Sequence, residues 1–247
     1  MILLYLVGAF AAFILLYFLY LFLWGLPVDM KKEYTKDSPF YRRLLMDATV
    51  FGFWLLRVKI HVSGAQKLPD GPILFVENHR SNYDPLVTWH AFRRRRLAFV
   101  SKPSNFRVPF FGPLIRRCCF LAIDRENPRN AMQAILKAAR LMTEESMDVA
   151  IYPEGTRNHG EGLLPFHNGV FKIAQRANAP IAVLCVTGTE KICHRTPLRR
   201  TDVYLDVLEV IPAEQVKHEK TEVIGEHVRD LLLKNIEERE HHDLHPV

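Results

Sequence analysis

The chain has 247 residues, 49% apolar and 24% charged, with a formal net charge of +6 and a pI of about 9.2. That composition excludes a disordered chain and is enough for one large domain with a proper core. The positive balance favours an anionic partner, whether lipid head groups, nucleic acid or an acidic carrier protein. Nucleic acid is the weakest of these, because no zinc-finger, homeodomain or RNA-recognition signature appears.

The mean hydropathy of -0.03 is high for a soluble enzyme, and the excess sits at the N-terminus. Residues 1–26 carry no charged side chain, enough helix to cross a hydrocarbon layer of roughly 30 Å. Lys31 and Lys32 follow, which by the positive-inside rule leaves the rest of the chain cytoplasmic. Ser38-Pro39 then opens a second helix, with Tyr41, Leu44, Leu45, Ala48, Phe51 and Leu55 at helical spacing. Arg42, Arg43 and Asp47 make it too charged to span easily; it either lies in the interface or packs on the core. Residues 1–56 therefore read as a membrane-docking unit and 57–247 as the body.

In the body, strand and helix patterns alternate. Val58, Ile60 and Val62 alternate with Lys59 and His61 as in a half-buried strand, and 67–71 is turn chemistry. Strands are expected at 73–76, 97–100, 120–123, 149–152, 181–186 and 203–210. Helices are expected at 84–92, from Asn127-Pro128 with Met132, Ile135, Leu136, Ala139 and Met142 on one face, at 168–177 and at 221–240. A polar, frayed tail follows from His241. The alternation predicts an α/β domain with a central mainly parallel or mixed sheet flanked by helices. Of the four cysteines, Cys118, Cys119 and Cys185 lie in or beside apolar runs. With Cys193 they show no zinc-ligand spacing, and they read as buried or inert thiols.

Two runs carry chemistry. The first is Asn78-His79-Arg80-Ser81-Asn82-Tyr83-Asp84, just after an apolar strand, where functional groups of α/β sheets gather. In one continuous helix His79 and Asp84 would stand about 140° apart. They can meet if His79 precedes the helix and Asp84 begins it, as Pro85 favours. Asp84 would then fix the imidazole tautomer and leave the other nitrogen to take a hydroxyl proton. The same pair also suits a helix-capping aspartate bonded to a structural histidine; no His/Cys cluster supports a metal. The second run is Glu154-Gly155-Thr156-Arg157, again after a strand. Glycine permits a tight turn that presents amides to an anion, and arginine meets a phosphate with paired hydrogen bonds. Lys102 and Arg125 follow other strands, so the three cations can converge on one site or serve as surface ion-pair partners. Arg93 to Arg96 is a basic run suited to anionic lipid, the phosphates of coenzyme A or an acidic carrier protein, or simply a solvated face.

Taken together, these runs resemble the glycerolipid acyltransferase family, most closely the bacterial 1-acylglycerol-3-phosphate acyltransferases. The resemblance covers roughly 57–210, with four blocks in the family's order: 78–84; Lys102 through Pro109 and Gly112 to Arg125; 152–157; and 179–183. It implies His79 as the base and Asp84 as its orienter. It gives Lys102, Arg125, Glu154, Gly155, Thr156 and Arg157 to the acceptor. It implies transfer of an acyl group from acyl-CoA or acyl carrier protein to the sn-2 hydroxyl of a lysophosphatidate at the cytoplasmic face of a cell membrane. It requires no metal or bound cofactor. Another lyso-lipid acceptor, such as a lyso-ornithine lipid, and an inactive lipid-binding protein are the alternatives. The chain departs from the family at Cys119, where a glycine is usual, at Pro103-Ser104-Asn105, at Val183 and at His167-Asn168-Gly169.

Overall fold

The computed structural model describes all residues except 125, 126, 161, 196–198 and 245–247, and leaves out the side chains of 3, 128, 195 and 240–244. In chain order the elements are α1 (Ile2–Gly25), α2 (Pro39–Leu55), β1 (Val58–Ser63), β2 (Leu74–Glu77), α3 (Asp84–Ala91), β3 (Leu97–Ser101), α4 (Phe111–Arg117), β4 (Leu121–Ala122), α5 (Pro128–Glu145), β5 (Asp148–Ile151), α6 (Lys172–Ala177), β6 (Ile181–Thr187), α7 (Ile192–Arg195), β7 (Thr201–Ile211), α8 (Ala213–His218) and α9 (Thr221–Leu244), with short 3-10 turns between several of them.

The strands form one seven-stranded sheet in the order β1-β7-β6-β2-β5-β3-β4. Neighbours run parallel except β6 and β7, so the expected sheet is mixed. β2, β5 and β6 are almost wholly buried, as strands covered on both faces must be. Their side chains alternate between two cores. Phe75, Ala150 and Leu184 face α2, α3 and α4, while Leu74, Val149 and Val183 face α5, α6, α8 and α9. β2 is thus the spine of the sheet, and whatever follows Glu77 emerges at the centre of its C-terminal edge.

Local sequence explains some element ends. Asn127 caps α5 by accepting hydrogen bonds from the backbone N–H groups of Arg129 and Asn130. Ser38 stands at the N-cap of α2 but makes no side-chain cap; its backbone N–H donates instead to the Arg117 carbonyl (3.1 Å), fastening α2 to α4. Several expectations are corrected. Met132 and Leu136 lie on the exposed side of α5, whose buried face is Ala134, Ile135, Ala138, Ala139, Leu141 and Met142. The strand expected at 120–123 shrinks to Leu121–Ala122, and the helix expected at 168–177 begins as a 3-10 turn. The polar tail continues as helix to Leu244.

α1 and α2 form an antiparallel hairpin: Phe13 and Tyr17 meet Phe51, and Trp24 meets Phe40. Tyr41 donates from its hydroxyl to the Trp24 carbonyl. The basic run beyond α3 is split. Arg96 and Arg42 both bind the buried Asp37 carboxylate at 2.6 Å, tying the segment before α2 to the start of β3. Arg95 binds Asp148 at 2.6 Å and the carbonyls of Pro69 and Gly71. Arg93 and Arg94 are exposed.

Candidate active site

The run after β2 is folded as a cradle for one imidazole. Asn78 is fully buried and bonds Val186 of β6 in both directions, its amide donating to the carbonyl and its oxygen accepting the N–H, each at 2.8 Å. That fixes where the chain leaves the sheet. Asp84 opens α3 with Pro85 behind it, and its side chain turns back over the loop. Oδ2 accepts from the backbone N–H groups of Arg80 and Ser81, each at 2.7 Å, and lies 2.8 Å from His79 Nδ1. Oδ1 accepts the Thr189 hydroxyl. A carboxylate that gathers this many donors acts as acceptor toward the ring as well. The Nδ1 proton is thereby assigned and Nε2 keeps its lone pair. His79 is 16% exposed and Asp84 is fully buried, so the pair sits at the surface with its orienting charge beneath. As a helix-capping aspartate would, Asp84 satisfies the turn, and it holds the ring through the same oxygen.

The run after β5 grips the same histidine. β5 pairs with β2, so Glu154 and His79 leave adjacent strands. Glu154 Oε1 accepts the His79 backbone N–H at 2.8 Å, and Oε2 accepts the Leu164 N–H at 2.9 Å. The His79 carbonyl accepts the Asn158 N–H at 2.7 Å. The Tyr152 ring lies against the imidazole, centroids 4.1 Å apart and planes 20° apart. Glu154 is 2% exposed, and both its oxygens are engaged with backbone, so its direct partners are the peptides of His79 and Leu164 and not an open cleft. Burial pushes its carboxyl above the ordinary range, with the bonds from Leu164 and His79 opposing that shift.

Gly155 turns at φ +75°, where a side chain would be strained, and its N–H closes the turn onto Tyr152 O at 3.1 Å. Thr156 is exposed and Arg157 half-buried, and neither side chain has a hydrogen bond or ion pair among the described residues. Lys102 follows β3, which pairs with β5, and is likewise exposed and without such a partner among the described residues. Strand ends along a sheet stand about 4.8 Å apart, so His79, Arg157 and Lys102 root on successive strands of one edge. Arg125 lies outside the described residues.

Two buried acids share the floor. Asp84 serves the ring, while Glu77, 1% exposed, accepts the Thr88 hydroxyl. Burial first, and then the Asp84 charge, push Glu77 well above the usual carboxylate range. Burial and the same acids raise Tyr152.

Asn158 and Thr189 were not read from the sequence, and Tyr152, just past the end of β5, was read as the end of that strand and the start of the 152–157 block, not as a ring stacked on His79. Thr189 lies 105 residues from its partner, with no local signal.

Fold and site together define an α/β protein with a histidine–carboxylate pair and, along the C-terminal edge of its parallel strands, cations that are unpaired among the described residues. Known proteins give that class a family. The profile of the family described as Acyltransferase matches residues 59–187. The chain is 31% identical over 168 residues to a 1-acyl-sn-glycerol-3-phosphate acyltransferase of Escherichia coli (strain K12), covering 68% of each. It is 26% identical to the protein of that name from Borreliella burgdorferi, over 78% of each chain. The crystal structure of the 1-acyl-sn-glycerophosphate (LPA) acyltransferase PlsC from Thermotoga maritima superposes with a TM-score of 0.66 at 21% identity, over 81% of this chain and 79% of that one, and shares its fold. The chain belongs to the glycerolipid acyltransferase family.

Proposed function

We propose that the protein transfers a fatty acyl group from acyl-CoA or acyl carrier protein to the sn-2 hydroxyl of 1-acylglycerol-3-phosphate, giving phosphatidate. The observation that carries this reading is the 2.8 Å contact of His79 Nδ1 with Asp84, which leaves Nε2 as the available base. Nε2 takes the proton of the acceptor hydroxyl as its oxygen attacks the thioester carbon. The tetrahedral intermediate then expels the thiolate, and the imidazolium returns the proton to the departing sulfur. Atoms balance with no further reactant, so the reaction calls for no cofactor. Arg157 and Lys102, free of protein partners among the described residues, are the cations for the acceptor phosphate, with Arg125 as the third. They hold the hydroxyl beside the base. The helix Leu4–Gly25, long and apolar enough to cross a membrane, keeps the site where acceptor and product reside, on the cytoplasmic side.

The test uses the full chain purified in detergent, lysophosphatidate and a labelled donor of either kind. Phosphatidate from wild type and none from His79→Ala supports reaction and base together. Equal product from both proteins removes His79 from the mechanism. No product with either donor moves the acceptor to another lyso-lipid.

A further inference from the structure

At the opposite end of α3 from Asp84 lies a cavity of about 520 Å³, between the edge strand β1, the turn after it and the loop leaving α3. Its size is within the range of about 300–1,000 Å³ common for small-molecule sites. Ile60, Val62, Leu68 and Phe92 give it an apolar floor, and Arg93 and Arg94 stand at its rim. No carboxylate is among the lining. Arg95 also lines it, but that guanidinium is spent on Asp148 and two carbonyls. Arg93 and Arg94 have neither hydrogen bond nor ion pair among the described residues. Burial, and then Arg93, hold His90 in the same wall below its ordinary value.

The cavity adjoins the docking hairpin. The ring of Phe53 on α2 meets the His90 ring edge-on at 5.9 Å, and its neighbour Trp54 is 65% exposed. Val62, on the floor, is itself 42% exposed. A cation pair over an apolar floor, beside an exposed tryptophan, matches a molecule with a phosphate at one end and methylenes at the other. A free phosphate would leave the floor unused; a zwitterionic head would bring its own cation against the arginines.

We propose that this cavity binds the head group and first acyl carbons of an anionic phospholipid from the surrounding bilayer, with Arg93 and Arg94 on the phosphate. None of the residues proposed for catalysis enters this site, so it stands apart from the acceptor proposed above.

The experiment is calorimetric titration of the full chain, in non-ionic detergent, with dioctanoylphosphatidylglycerol, dioctanoylphosphatidylcholine and inorganic phosphate. The proteins are wild type, the double variant Arg93→Ala/Arg94→Ala and Val62→Glu, each checked by thermal unfolding. The expected result is a saturable phosphatidylglycerol site that is about thirtyfold weaker in the double variant, as two cations near a lipid phosphate imply. Val62→Glu should weaken it at least as far, by placing a carboxylate beneath the phosphate. Acyl transfer should be unchanged in the double variant. Undiminished phosphatidylglycerol binding in the variants overturns the proposal. So does phosphatidylcholine binding as tightly as phosphatidylglycerol. Inorganic phosphate binding as tightly as the lipid makes this a free-anion site and equally overturns it.

Discussion

Asp84→Asn separates the charge of this carboxylate from its geometry. Oδ2 faces three N–H donors, on His79, Arg80 and Ser81, while Oδ1 faces only the Thr189 hydroxyl. An amide nitrogen placed toward the three donors would leave them unsatisfied at about 1–3 kcal/mol each, so the amide turns the other way. There its nitrogen meets the Thr189 hydroxyl, which can rotate and accept. The introduced oxygen then still accepts from Nδ1, and the tautomer that leaves Nε2 free survives. What is lost is the attraction for the imidazolium formed during transfer. At a charge separation of roughly 4 Å and an effective dielectric of about 20 this is about 4 kcal/mol, close to a thousandfold in kcat. Three charge-assisted bonds becoming neutral lower stability by about 3 kcal/mol as well. The assay is acyl transfer to lysophosphatidate at saturating acceptor, with unfolding followed in parallel. KM should change little and the residual rate should exceed that of His79→Ala. Adding Thr189→Val should cost more again, because the amide then has no acceptor to turn toward. A rate for Asp84→Asn within about fivefold of wild type would refute the reasoning, since the charge would then play no part.

Three further outcomes are expected. Glu77 has its pKa raised in the folded state, so its contribution to stability is present below the unfolded value of about 4.3 and is lost as pH rises toward the folded value. Glu77→Gln should therefore melt higher than wild type at pH 8 by more than at pH 5, and a pH-independent difference would contradict it. Asp37 shifts the other way: burial alone would raise it, but the bonds from Arg96 and Arg42 outweigh that and lower it. Its stabilisation is present above about pH 4 and lost as pH falls through the folded value, and Asp37→Asn should lower stability by about 3 kcal/mol at neutral pH, read by denaturant titration. A Cβ on Gly112 would come within 2.2 Å of the Phe106 carbonyl oxygen, a backbone atom that cannot step aside. Gly112→Ala should express poorly or melt far below wild type; a shift of only a degree or two would mean the turn before α4 yields.

The strands buried on both faces were legible because an apolar run bounded by turn residues has few other places to go. The His79–Asp84 contact was legible for a related reason: proline after Asp84 fixes where α3 begins, and that places the carboxylate over the loop holding His79. The antiparallel pairing of β6 and β7 carries no local mark, since a run such as 203–210 looks alike in either direction. Met132 and Leu136 misled because helical spacing tells which residues share a side, not how wide the buried stripe is. The cysteine standing where the family usually has glycine becomes intelligible only in three dimensions. Cys119 sits at φ +61°, in the left-handed region, with its side chain buried, so the site keeps the glycine conformation without the glycine. The four arginines read as one patch because sequence records charge but not partners: Asp37 and Asp148, which take Arg96 and Arg95, are 59 and 53 residues away.

The run from Tyr152 to Arg157 looks in sequence like a single anion clamp, yet the structure divides it by direction. Tyr152 and Glu154 point at His79, one against the ring and one onto its peptide N–H. Thr156 and Arg157, past the glycine turn, are left without side-chain partners among the described residues. Gly155 is where the division occurs, because only a left-handed turn there lets successive residues serve the protein and then face away from it. A turn built this way joins the proposed base to the proposed phosphate-binding residues in one short segment. Glu154 stands three residues before Arg157 and accepts the His79 backbone N–H at 2.8 Å. Substitution of Glu154 should accordingly be felt in the rate of transfer as much as in the affinity for acceptor.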